Sequence, residues 1–297
     1  MVARAAAVVT VLTATATAFA PTPIPVVHGP GDNSGPVAAD GWLAWMHSAT
    51  PNPLPPAGHT DVLVRRGNGA AWQANPRGTY AETGGIEGRT LIVQLIRGGI
   101  SKLAAVDLRT KALTVLPVDT TSRRWLWRPS VSGPWILYGR IDYALGVYAI
   151  ALTNRVTGET RILDSVGGHA AYAAPGQVNG RYAVWIACPD NHCRTFRYDL
   201  VARRLIPMPP LGGYAYWQFG PSVTRDGTVY FGNARGCADV RLVRWRKGSV
   251  KTLLRFPPHT AFVYSFAVDR PHRTIYYDQV GCSRSDLSSI YRIVDPS

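Results

Sequence analysis

Pro129-Ser-Val-Ser-Gly-Pro-Trp-Ile-Leu-Tyr138 holds a short apolar run, a turn signal at Ser132-Gly133, and a second run rich in aromatic and branched residues. A third run, Val147-Tyr-Ala-Ile150, follows it. The same order recurs along the chain. Pairs of a residue with glycine between apolar runs stand at Asp40-Gly41, Glu87-Gly88, Ser132-Gly133, Asn179-Gly180 and Asp226-Gly227, at intervals of 47, 45, 47 and 47 residues. One further step reaches Pro271-His272, between Phe266-Ala-Val268 and Ile275-Tyr-Tyr277. Asn-Gly and Asp-Gly favour tight hairpins because both central residues accept positive φ.

Each turn has matching flanks. Short strands precede it at Pro129–Val131, Gly176–Val178 and Pro221–Val223. Strands rich in β-formers follow, such as Trp42-Leu-Ala-Trp45, Leu91-Ile-Val93, Tyr182-Ala-Val-Trp-Ile186 and Val229-Tyr-Phe231. Third strands come next, among them Leu103–Val106, Phe196–Tyr198 and Ile290–Ile293, and a polar turn with a fourth strand closes each unit. No window of similar length shows a helical apolar period. Four strands per ~45-residue unit specify an all-β, six-bladed β-propeller with antiparallel blades.

The sixth unit lacks a fourth strand, and the apolar segment Ile24-Pro-Val-Val-His28 is left over near the start of the chain. That segment is expected to serve as the outer strand of the last blade and close the ring, which removes an exposed edge. Pro23 and Pro25 suit such a one-sided position. Residues 21–297 thus read as one domain, with blades at 34–76, 80–117, 127–164, 174–209, 219–256 and 262–297 plus 24–28.

Composition agrees. The 297 residues include 29 Gly, 23 Pro and 46% hydrophobic residues, too apolar for a disordered chain. Glu occurs only at Glu82, Glu87 and Glu159, and Met only three times, which excludes a helical bundle. Residues 1–20 read as a cleaved export signal: Arg4, a mildly apolar stretch from Ala5 to Phe19, and small-x-small sites ending at Ala18 or Ala20. The cleavage position stays open, because Pro21 would follow Ala20 directly. No later segment has the length of a membrane helix. The chain is therefore expected outside the cell or in the cell envelope, without a membrane span.

Cys188, Cys193, Cys237 and Cys282 form an even set, as disulfides in an exported protein require. Cys188-Pro-Asp-Asn-His-Cys193 resembles a zinc knuckle only in part, since a second matching pair is missing. A local Cys188–Cys193 bridge is the better reading, and Cys237 then pairs with Cys282 by elimination. No cofactor or metal is assigned.

The blade pattern, with Tyr198-Asp199-Leu200, Val106-Asp107-Leu108 and the turn at Thr157-Gly158, resembles that of the TolB-type six-bladed β-propellers. The C-terminal third, from Val229-Tyr-Phe-Gly232 through Cys237 to Ile275-Tyr-Tyr-Asp278, Cys282 and Ile290-Tyr-Arg292, resembles secreted actinobacterial TolB-like proteins of unassigned function. The likeness implies the fold and carries no catalytic residue. The N-terminal domain of TolB itself has no counterpart here, so TolB's partners do not carry over.

Propeller function concentrates on the face where second strands meet third strands and one blade passes to the next. An aromatic precedes the turn on that side in five blades: Tyr80, Trp125, Tyr172, Phe219 and Phe262, with Trp127, Tyr214, Tyr216, Trp217 and Tyr264 nearby. Such residues either wedge between blades or form a platform for a ligand. Arg124-Trp125-Leu126-Trp127-Arg128 is the densest basic and aromatic segment, and Arg77 and Arg123 lie on the same face. Guanidinium forks and ring faces suit a carboxylate, a phosphate or an acidic glycan. The plain alternative is a solvated loop in an Arg-rich proteome, for Lys occurs only at Lys102, Lys111, Lys247 and Lys251 despite a net charge of +14.

Asp61, Asp142, Asp190, Asp239 and Asp286 recur where third strands begin. They either cap loops or converge as general acids and bases or calcium ligands. His169 and His259 lack a placed carboxylate partner, and no hydrolase or phosphate-loop motif occurs. The Pro-rich loop from His47 to Thr60 overhangs the ring. The leading reading is a non-enzymatic binding or scaffold propeller using Trp125, Trp127, Arg124, Arg128, Tyr172, Trp217, Phe262 and Arg77. Its partner would be an envelope or extracellular protein, a peptide or an acidic glycan. Nucleic acid is disfavoured by export and by the missing motifs. The alternative is a carbohydrate-active hydrolase or lyase using the loop aspartates. No residue is assigned a catalytic role.

Overall fold

Six four-stranded antiparallel sheets make up the computed structural model, which describes residues 21–50, 59–118, 124–168, 171–189, 193–208, 217–269, 271–283 and 286–295. Helix among them is limited to one 3-10 turn, Gly236–Ala238. The proposed signal segment, most of the Pro-rich loop, Arg123, His169, Asp190, Tyr214 and Tyr216 lie outside the described residues. The inner strands are Asp32–Ala39, Tyr80–Glu87, Arg124–Ser132, Tyr172–Asn179, Trp217–Val223 and Phe266–Asp269. Each pairs with the strand that follows its turn, and the blades run on outward in chain order.

The turns refine the expected chemistry. Asp40 (φ 52°) and Gly41 (φ 80°) are both left-handed, as a two-residue Asp-Gly hairpin requires. In blades two to four the strand instead runs through Glu87, Ser132 and Asn179. There the glycine is the first central residue, with φ of 56°, 54° and 58° at Gly88, Gly133 and Gly180. Only one position needs positive φ in such a turn, so Arg89, Pro134 and Arg181 fill the second.

The last blade is completed as expected. Ile24–Val27 runs antiparallel to Ser289–Val294, whose other neighbour is Thr274–Gln279. Arg65 Nη2 donates to the Val26 carbonyl at 3.0 Å, and the Asn33 N–H donates to the Ser288 carbonyl at 3.0 Å. Both bonds tie the first blade to the last.

The core lies between blades. Leu137, Ile150, Ala173 and Trp185 join blades three and four, while Ala38, Leu43, Trp45, Ala267 and Ile290 fill the seam between blades six and one. Full burial of each large apolar side chain contributes roughly 1.5–3 kcal/mol. Serines of the Pro-Ser-Val motifs link the inner strands. Ser130 Oγ accepts from the Val178 N–H at 2.9 Å, and Ser222 Oγ donates to Gln177 Oε1 at 2.6 Å.

Cys188–Cys193 and Cys237–Cys282 are bonded as the sequence suggested. Among the described residues no helix is long and apolar enough to cross a membrane. The disulfides fit an extracellular or envelope protein.

Candidate functional site

Among the described residues the inner strands enclose a cavity of about 360 Å³. The wall is built by a repeated irregularity. In each of blades one to five, two residues of the first strand face one residue of the second. These bulges are Gly35-Pro36, Gly84-Gly85, Arg128-Pro129, Gly176-Gln177 and Gly220-Pro221, and all ten residues line the cavity. A bulge bends the strand and turns its extra residue out of the ladder. The inner strands are therefore longer than the three-residue runs that the sequence marks, because each continues on both sides of the bulge.

Crowding explains the glycines. A Cβ on Gly84 would collide with the carbonyl oxygens of Ile92 and Pro129, and one on Gly176 with those of Val184 and Pro221. Gly35 and Gly220 are left-handed, at φ of 58° and 53°. Arg128 shares that conformation at φ 44° and stands where the other four bulges place glycine. A left-handed backbone costs an ordinary residue about 1–2 kcal/mol, and the following Pro129 restricts Arg128 further. Strain of this kind concentrates at functional sites.

The Arg128 guanidinium lies over the Trp127 ring, 5.4 Å from its centroid. Among the described residues it makes no hydrogen bond or ion pair. Trp127 sits against Gly139, where a side chain would leave no room, and meets Tyr172 edge-on at 5.4 Å. Tyr172 in turn lies 5.7 Å from Tyr148. The indole N–H of Trp127 is buried without a partner.

Glu82, two residues into the neighbouring inner strand, lines the cavity with Arg128. Its Oε1 accepts from the Tyr80 hydroxyl at 3.1 Å. Burial pushes the Glu82 carboxyl above its ordinary range, opposed by the charge of Arg128 and by the Tyr80 hydrogen bond. Burial also raises the Tyr172 hydroxyl, against the pull of Arg128.

The other lining carboxylates serve the frame. Asp278 Oδ1 accepts from the N–H groups of Tyr264 and Ser265, both at 2.8 Å. Its Oδ2 accepts from the Ser265 hydroxyl at 2.6 Å and the Gly35 N–H at 3.0 Å. Burial still pushes the Asp278 carboxyl upward. Asp32 accepts from the Ser288 N–H at 2.8 Å. Tyr264, at the rim, is 47% exposed and leans on Phe262 with centroids 5.0 Å apart.

The residues singled out from the sequence separate into groups. Trp127, Arg128 and Tyr172 meet at the seam of blades three and four. Trp125 is half-buried and touches Tyr143 edge-on at 6.3 Å. Phe262 stacks on Phe219 at 5.1 Å, beside blade six. Arg77 is exposed between blades one and two, and Arg124 and Trp217 open their strands.

The loop aspartates bond to their own surroundings. Asp61 accepts from Gln73 at 2.7 Å and Asn75 at 3.1 Å, and Asp142 caps the N–H groups of Ala144 and Leu145. Asp239 pairs with Arg241 and Arg255, and Asp286 caps the Ser283 N–H. Among the described residues no group of three His, Cys, Asp or Glu is placed to hold a metal ion. Sequence reasoning passed over Glu82, Gln177 and Asp278. For Gln177 the signal was the Gly-Gln pair inside a strand pattern, which marks a bulge; Glu82 and Asp278 carry no such signal.

The architecture is that of a TolB-like six-bladed β-propeller with a charged cavity on its axis. TolB from Acinetobacter baumannii superposes with a TM-score of 0.62 at 11% identity, over 85% of this chain and 63% of that one. A putative TolB from Agrobacterium tumefaciens gives 0.52 at 12%, over 83% and 91%. Oligogalacturonate lyase from Vibrio parahaemolyticus gives 0.53 at 8%, over 92% of each chain. This chain thus spans less than two thirds of the Acinetobacter TolB. At such identities the likeness is one of fold alone. No family model and no curated protein matches the sequence.

Proposed function

We propose that the chain is a secreted binding propeller of the cell envelope that takes its ligand at the channel mouth. One observation carries this reading: Arg128 is held in a strained backbone conformation at a cavity wall and makes no hydrogen bond or salt bridge among the described residues. Trp125, Trp127, Tyr172 and Phe262 would frame the contact, with Arg77 exposed and Arg124 and Trp217 at the starts of their strands as further candidates. An extracellular or envelope protein, a peptide or an acidic glycan suits that chemistry. The loop aspartates of the enzymatic alternative already bond to their own chain, which weakens it.

The test is cross-linked capture from the producer's cell envelope, with the mature oxidised protein as bait beside a Trp125→Ala, Arg128→Gly variant of matched thermal stability. A component held by the first and lost by the second supports the reading. Equal retention by both overturns it, and capture of nothing by either removes the protein, peptide and glycan ligands.

A further inference from the structure

We infer that the axial cavity binds a uronic-acid sugar unit, its carboxylate on the Arg128 guanidinium and a ring hydroxyl donating to Glu82; this rests on the channel-mouth reading above. The cavity lining narrows the ligand by elimination. Asp278 is held by four donors of its own chain, and Asp32 has a donor on each oxygen, the Ser288 N–H and the Ser34 hydroxyl, whereas Glu82 has one, from Tyr80. Gln177 spends its Oε1 on Ser222 and the Val223 N–H. Arg128 and Glu82 remain as the charged groups with bonding capacity left for a guest.

These two groups disagree in sign. A simple anion would satisfy Arg128 and give Glu82 no hydrogen-bond donor, and a simple cation would be opposed by Arg128. The guest must therefore present a carboxylate and a hydrogen-bond donor together. An ammonium donor needs an ionised partner, whereas burial favours the neutral form of Glu82 and Tyr80 already supplies it with a donor. A hydroxyl bonds to either form of the carboxyl, since it both donates and accepts. Arg128 offers a planar fork that matches a carboxylate.

Size and walls agree. About 360 Å³ lies at the small end of ligand pockets and suits one or two pyranose rings. The walls at Gly84, Gly85 and Gly176 present backbone to the cavity, while the next blade fills the space a side chain would take. Tyr264 offers a half-exposed ring at the rim, suited to the C–H face of a sugar. A free sugar acid and the terminal unit of an acidic glycan share this chemistry.

The experiment is calorimetric titration of the oxidised protein with glucuronate, glucose, acetate, glucosamine and a tetrasaccharide ending in glucuronate. Glucuronate should bind at least tenfold more tightly than glucose, acetate or glucosamine. Arg128→Gly should lose that binding yet keep or raise its thermal midpoint, because glycine takes the left-handed site freely. Glu82→Ala should shrink the preference for glucuronate over acetate to less than threefold. Tighter binding of the tetrasaccharide would place the sugar at a glycan end, and equal binding would point to the free acid. Full glucuronate affinity in Arg128→Gly, or equal affinity for glucose and glucuronate, overturns the inference. If no sugar acid binds the wild type at millimolar concentration while envelope capture still needs Arg128, this ligand class falls and the channel-mouth reading stands.

Discussion

Arg128 and Glu82 occupy costly positions for opposite reasons, one paying in backbone conformation and the other in burial. Arg128 stands at φ 44° in the place that four other bulges give to glycine. Glu82 is raised by burial, so the folded chain keeps its proton to a higher pH than the unfolded chain does. Between the ordinary glutamate value and that raised one, the folded state binds more protons. Stability should therefore fall as pH rises through this window. Glu82→Gln should flatten that slope and leave the variant at least as stable as the wild type at neutral pH. Urea unfolding from pH 4 to pH 8 measures it, and an unchanged slope would contradict the assignment. Asp199 moves the other way: Arg181 beside it holds its carboxyl at about 2. Its stabilising contribution is present above the ordinary value of 3.8 and is lost as pH falls towards 2, well clear of the Glu82 window.

At the scale of the strand, the bulge is the element that makes this propeller's channel. It puts Pro129 and Pro221 directly against Gly84 and Gly176 of the preceding blades. Gly84→Ala and Gly176→Ala each force a Cβ into carbonyl oxygens, an overpacking that costs about 1–3 kcal/mol. Gly88→Ala, on an open turn with φ 56°, meets no neighbour and pays for backbone strain alone, about 1 kcal/mol. Chemical denaturation should rank the two bulge variants below the turn variant. The reverse order would mean that the blades do not meet as closely as the bulges place them. The element was partly legible beforehand. Turn residues and strand runs are local signals and were readable at each repeat. A bulge is a mismatch between two strands, so a Gly-Pro or Gly-Gly pair inside one strand hints at it without giving its register.

At the scale of the molecule, the ring is shut by the pairing of Ile24–Val27 with Ser289–Val294, together with the bond from Arg65 to Val26. Deleting residues 21–28 should bare the edge of the last blade, lower the thermal midpoint and produce concentration-dependent association by edge pairing. Light scattering across a dilution series tests this, and a monomer of unchanged midpoint would show that closure rests on the inner seam at Asp32, Gly35 and Asp278. The sequence alone determined six units, their strand order, the closing strand and the two cysteine pairs. Each of these follows from period, turn chemistry or counting, all of which are written along the chain. The cavity wall is different. Glu82, Arg128, Gln177, Tyr264 and Asp278 come from four blades and meet only after the ring closes. The Arg124–Arg128 segment looks like one exposed patch in sequence, yet strand alternation buries Leu126, seats Trp127 on Gly139 and leaves Arg128 at the channel. Tertiary structure decided that partition, because the bulge at Arg128-Pro129 changes which side of the strand faces the axis.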